Sequence, residues 1–397
     1  MVKKYLLLAI ILLLLFSTGC WDQREMNDSA VPTTIGIDLG ENKKIIFSSL
    51  FAEPTQPGEL GSQQMKTILT TSSDYSVALA ARRVMLSLSR VPFFTHVQSL
   101  VLGETLARND LPLVIDFMIR NRNINPDMGL LIALRNHPEE ILAQVNSTGS
   151  GLKQLVEVNE FELGIYVPIT MGDFTYKLLT PGIEPAVPEI IIEEIPAVKT
   201  KAASGDKNGK PTDNKTKRIV LHGTAVFKGD KMLGSLNEIE SRGYRWLSSQ
   251  TKAGGLLVVK YPLNPQDYMV LEIMNFSSKT RPQVSGNTIK MHVDINAQLN
   301  FYEQTGSDNM LTPALLKRLE QTANLEIAHQ INSCIRKSQS LNSDILGWGL
   351  LLLEYQPDAW KRLKADWNDI YPAIEFDVKA KTTITHTYLS NKSLQIR

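Results

Sequence analysis

A network of disulfides cannot hold this chain together. It has two cysteines in 397 residues, Cys20 and Cys334, so its stability must come from apolar burial. The length and a hydrophobic content of 43% permit that. Net charge is scarce as well. The formal net charge is +1, and no long stretch of the folded portion clusters Lys and Arg, which excludes a nucleic-acid groove. Catalytic signatures are absent: there is no CxxC, HExxH, GxSxG or GxGxxG. Residues 205–210, GDKNGK, fall one residue short of a phosphate loop and are followed by Pro211 where Ser or Thr is needed. The histidines at 96, 137, 222, 292, 329 and 386 lack metal-ligand spacing, and His386 lies on the apolar side of a strand. Glu193 and Glu194 are adjacent, so on a strand they point to opposite faces and cannot act as a catalytic pair. Arg82 and Arg83 read as a solvated helix edge. No enzyme, cofactor or metal is expected.

Long apolar runs are missing after residue 20, but one precedes it. Lys3 and Lys4 lead into Tyr5–Phe16, YLLLAIILLLLF. This run is shorter than the ~20 residues a spanning helix needs and suits the apolar region of a secretory signal. Ser17, Thr18 and Gly19 are small, as a cleavage site requires, and Cys20 follows them. That order is the order of a lipoprotein signal, with Ser17 standing where Leu is commonest. The expectation is a signal peptide at 1–19 and a diacylglyceryl group on Cys20, which ties the mature chain to a bilayer without threading it through.

Strand and helix periods alternate in the remainder. Ile289–Phe301 alternates strictly, and Phe376–Tyr388 does the same. Shorter strands are expected at 33–39, 45–51, 97–102, 128–134, 190–195, 219–227, 256–261 and 269–276, with a hairpin turn over Phe227–Met232. Helices are expected at 74–88, 111–119, 138–145, 236–247, 313–337, 343–355 and 357–367. In the long one, Leu316, Leu319, Ala323, Ile327, Ile331 and Cys334 form a buried stripe, which makes Cys334 a structural thiol. The two-faced strands favour antiparallel-rich sheets with helices packed on one face, an α+β class of several mixed domains. Residues 199–217 are polar and lack any period. They read as a flexible linker or long loop between an N-terminal α+β region at 20–198 and a C-terminal one at 218–397.

Aromatics are few, at 7%, yet Trp348, Trp360 and Trp367 fall close together. Trp360, Leu363 and Trp367 share a helix face. Core packing is one reading of this spacing. A partner interface is the other, because Trp is enriched at binding hot spots.

Four stretches carry a resemblance: GCWDQRE at 19–25 with Gly36-Ile37-Asp38 beyond it, SRVPFFTHVQSLVLGETL at 89–106, HGTAVFKGDKMLGSL at 222–236, and residues 346–378. In their order and nearly full coverage they resemble the Ger(x)C family, the lipoprotein C subunits of germinant receptors of spore-forming bacteria. The resemblance implies a mixed α+β protein of several small domains, held by lipid on the outer face of the spore inner membrane. It also implies partners, an A subunit and an integral-membrane B subunit, and it implies no enzymatic activity. It transfers no ligand residues. The rival reading is a substrate-binding lipoprotein of an importer, and the long two-faced strands disfavour it.

Overall fold

The structure, a computed structural model, describes residues 5, 29–52, 67–121, 123–148, 151–196, 215–248, 250–286, 288–305 and 312–387. Cys20 lies outside the described residues, and so does Tyr388 at the end of the last expected strand.

The first body is built on one mixed sheet. Strands β1 (Ser29–Leu39), β2 (Ile45–Ala52) and β3 (Thr67–Asp74) form an antiparallel meander at one end. The short β4 (Val91–Pro92) adds parallel to the start of β1. In the middle, β1, β5 (Ser99–Gly103), β6 (Gly129–Ala133) and β7 (Ala186–Pro196) run parallel. Strands β8 (Lys215–Lys228) and β9 (Lys231–Leu236) close the other end antiparallel. The order is β3-β2-β1-β5-β6-β7-β8-β9.

The parallel centre needs cover on both faces, because its strands are apolar on both. Strand β5, SLVLG, is buried throughout. Its Leu100 and Leu102 face a core filled from α1 (Val77–Arg83), α2 (Glu104–Asn109), α3 (Leu111–Arg120) and α6 (Met171–Leu179). Its Val101 faces the opposite core, filled from α4 (Pro138–Thr148) and α5 (Leu152–Glu162). The α+β class stands. The parallel middle, with helices on both sides, departs from the one-faced antiparallel arrangement that the period-two strands suggested.

The second body carries the sheet β10-β11-β12-β13. Strands β10 (Leu256–Lys260), β11 (Tyr268–Ser285) and β12 (Thr288–Gln304) are antiparallel. Strand β13 (Glu375–Thr387) is parallel to β12. One face is wet, with ion pairs such as Lys290 to Asp377 at 3.6 Å. The other face packs on α8 (Pro313–Ser340) and on α9 (Trp348–Tyr355), α10 (Pro357–Leu363) and α11 (Trp367–Ile370). Thr312 caps α8 by accepting from Leu315 N–H, and Pro313 opens its first turn. The stripe on α8 runs as expected, with Leu315 rather than Leu316 as its first buried member. Two backbone N–H groups of β13 are covered by α8: Thr382 donates to Asn324 and Ile384 to Glu320. Donors satisfied in this way are unavailable to a passing strand.

The division expected at 199–217 falls within the first sheet. Ile195 pairs with Thr216 and Pro196 with Lys215, so the segment connects two adjacent antiparallel strands, and Lys215, Thr216 and Lys217 already belong to β8.

Helix α7 (Glu238–Ser248) joins the bodies, lying against α8 with Gly243 at the crossing. A Cβ there would stand 2.1 Å from the backbone oxygen of Gln330 and 2.7 Å from Cys334 Cβ. We expect Gly243→Ala to force the helices apart and lower stability by about 3 kcal/mol, as measured by denaturant unfolding. Unchanged stability would show that the crossing has slack.

Candidate functional site

The carboxyl ends of parallel strands are where open sheets form crevices. The first body has one there, a cleft of about 220 Å³ lined by Gly36, Asp38, Ile46, Ser48, His137, Glu139 and Glu140. Asp38 ends the apolar run of β1 and is buried. Its Oδ1 accepts from Leu39 N–H at 2.8 Å, and its Oδ2 meets His137 Nδ1 at 2.7 Å. Gly103 leaves room for it: a Cβ there would lie 2.0 Å from Asp38 Oδ1.

His137 precedes Pro138 at the start of α4. Its carbonyl accepts from Glu140 and Ile141, and Glu140 Oε2 accepts from His137 N–H at 3.2 Å. Glu140 thus supplies one half of a capping box, while the His137 ring turns to Asp38 and not to the helix N–H groups. Asn136 fixes the turn from the other side by accepting from Ile192 N–H of β7. Three segments, β1, β7 and the start of α4, thus converge on one turn. The hydrogen bond to Asp38 raises the His137 pKa, burial opposes it, and the charges of Asp38, Glu140 and Glu139 add to the rise.

The chemistry this pair offers is narrow. The hydroxyl in the cleft, Ser48 Oγ, bonds to Thr71 Oγ1 at 3.1 Å, and Thr71 in turn donates to Glu139. No bond from Ser48 to the His137 ring is among those described. Among the described residues no group of three or more His, Cys, Asp or Glu is placed to hold a metal ion. The pair ties α4 to β1 and gives the crevice a charge that changes with pH. Sequence reasoning missed it because 99 residues separate the partners. The signals were an Asp closing an apolar strand and a His directly before Pro-Glu-Glu.

A second buried acid, Glu189 on β7, accepts from Ser235 Oγ and packs against Gly223. Burial pushes its pKa up to about 7.

The aromatic triplet proposed as a partner interface is corrected by the structure. Trp348, Trp360 and Trp367 are 1%, 6% and 9% exposed and belong to the core of the second body. Trp360 and Trp367 do share a face, with ring centroids 5.2 Å apart, but that face is turned inward because α9–α11 close over α8 and the sheet. Two of the three, Trp348 and Trp367, bond to Asp344. This fully buried carboxylate accepts from Trp348 N–H (2.9 Å), Gly349 N–H (2.8 Å) and Trp367 Nε1 (3.2 Å). Cys334 is buried, and burial pushes its thiol far up, as its stripe position required. Glu193 pairs with Arg218, and Arg83 pairs with Asp74. The side chain of His386 lies outside the described residues.

Family comparisons divide the chain inside the first sheet, between residue 192 in β7 and residue 222 in β8, and not at the junction of the two bodies. Residues 22–192 match the "Spore germination protein N-terminal domain" and residues 222–388 match "Spore germination B3/ GerAC like, C-terminal". The chain belongs to the Ger(x)C family of spore-germination proteins. Among its relatives, Spore germination protein KC of Bacillus subtilis (strain 168) is 24% identical over 100% of this chain and 98% of that one. Spore germination protein YndF of the same organism is 23% identical over 95% of each. The crystal structure of the GerBC protein superposes with a TM-score of 0.55 at 18% identity, covering 88% of this chain and 96% of that one, a likeness of fold.

The Asp38–His137 bond makes a measurable prediction. Because the folded pKa of His137 is raised, the contribution of this group is fully present below the ordinary histidine value, about 6.5, and fades as pH rises through the folded value. A proton NMR titration should place the His137 midpoint above the ordinary range, and Asp38→Asn should return it there. An ordinary midpoint in the parent protein would contradict the bond.

Proposed function

We propose that the protein is the lipid-anchored, non-catalytic C subunit of a nutrient germinant receptor. It is held on the outer face of the spore inner membrane through Cys20 and acts with an A subunit and an integral-membrane B subunit. The observation that carries this reading is the near-complete two-part family match. Its first part begins at residue 22, directly after the small-residue and cysteine sequence of a lipoprotein signal. No helix among the described residues is long and apolar enough to cross a membrane, so an anchor on Cys20 supplies what the described helices do not. Two acyl chains at ~0.8 kcal/mol per buried CH₂ give stable attachment where one gives only marginal binding. Confinement to a thin layer raises the effective concentration of the two bodies toward membrane partners.

The test is mass spectrometry of the chain isolated from spore membranes. A mature N-terminus at Cys20 bearing a diacylglyceryl group is expected, and Cys20→Ala should move the chain to the soluble fraction and slow nutrient-triggered germination. An uncut leader, or an unmodified thiol on membrane-bound protein, would overturn the reading.

A further inference from the structure

A cluster of exposed apolar side chains lies where the described chain begins. Met85, Leu86, Val91 and Phe93 are all exposed, Leu86 at 86%. The segment carrying them is not loose. Val84 is buried, Leu88 packs on the same core, and Val97 is buried beyond them. Ser87 N–H donates to Val84 O, and Phe93 N–H donates to Ala30 O at 2.9 Å. Strand β4 pairs Val91 with Ser29 and Pro92 with Ala30. The frame therefore holds the intervening apolar groups outward, at a cost in water that no contact among the described residues offsets.

Two facts identify the occupant. Ser29, the neighbour of Val91, stands nine positions after Cys20, a reach of at most about 30 Å even when fully extended. The stretch 85–98, MLSLSRVPFFTHVQ, also contains no Asp or Glu and carries Arg90 and His96. Apolar groups beside the cationic Arg90, on a short tether, suit the interface of a bilayer with anionic headgroups. We propose that Met85, Leu86, Val91 and Phe93 form a membrane-docking edge that inserts into an anionic phospholipid surface and sets the orientation of the tethered protein. The inference rests on the reading of Cys20 as the anchor, but its test does not.

The test uses the full mature chain from residue 20 in two forms. In the first, Cys20→Ser removes any covalent anchor, and sedimentation with vesicles of phosphatidylglycerol and phosphatidylcholine is compared with phosphatidylcholine alone. Measurable binding, stronger with the anionic lipid, is expected, and Leu86→Ser with Phe93→Ser should weaken it about tenfold. An unchanged unfolding midpoint would show that the double variant is folded. In the second form, Cys20 is coupled to a maleimide lipid in the same vesicles, a reaction the buried Cys334 will not compete for. Slower backbone hydrogen exchange over residues 85–93 on vesicles than in solution is expected. Equal vesicle binding by the parent and the double variant, or exchange over 85–93 unaltered by tethering, overturns the proposal. So does a lipidated double variant that loses membrane-protein partners while both vesicle experiments are null, because the edge would then be a protein contact. Anchoring itself is judged separately by the mass at Cys20.

Discussion

One buried carboxylate holds the two bodies in register. Asp344 lies in the turn after α8, gathers the N–H groups of Trp348, Gly349 and the Trp367 indole, and is closed off from water. Burial pushes its pKa up to about 7 against the pull of those three donors, so desolvation outweighs hydrogen bonding there. Leaving three buried donors without their acceptor would cost more still, and for that reason the turn has one stable form. Its backbone then reaches across to the first body. Glu184 N–H donates to Asp344 O at 2.9 Å, Leu350 N–H donates to Gly182 O at 2.8 Å, and Ser343 Oγ donates to Phe227 O. Gly182, at φ +83°, comes so close to Gly349 that a Cβ on either would strike the other backbone.

A second crossing reinforces the first. Arg242 Nη1 donates to Leu163 O of the first body and to Leu256 O at the start of β10, both at 3.0 Å. Arg245 is buried among Gly164, Ala253 and Gly254, and donates to the last two. Burial pulls its pKa down only to about 10, so it stays charged at neutral pH. Together with the α7–α8 crossing, these contacts make the bodies a single unit. Under the proposed function, a rigid unit tethered at Cys20 would present one face to the bilayer and others to its partners.

Much of this was legible in sequence where burial imposes a period. Strands β1, β2, β10 and β12, the turn at Gly229 and the stripe of α8 all lie close to where alternation and three-four spacing put them. The failures have separate physical causes. Strand β3, TILTTSSD, is mostly Ser, Thr and Asp and gains its place only by pairing with β2, a contact no local pattern encodes. Helix α5 buries Leu152 and Val156 at a spacing of four, but its charged remainder diluted that signal. The parallel pairing of β13 with β12 was hidden because a two-faced strand has the same pattern in either direction. The tryptophans gave the right shared face and left two destinations open, of which the structure takes the core, since amphipathic spacing tells which residues point together and not whether that side is covered. Asp38 and His137 met through the topology of the parallel centre, which sequence alone does not supply.

The contacts across the junction predict that the two bodies move as one, and distance measurement tests this directly. Spin labels on cysteines introduced at Leu79 of the first body and Leu325 of the second, both exposed, can be read by pulsed electron resonance in a Cys20→Ser background, where the buried Cys334 escapes labelling. A single narrow distance distribution is the predicted result. A broad or bimodal one would show that the junction at Asp344 does not fix the bodies and would contradict the rigid coupling described here.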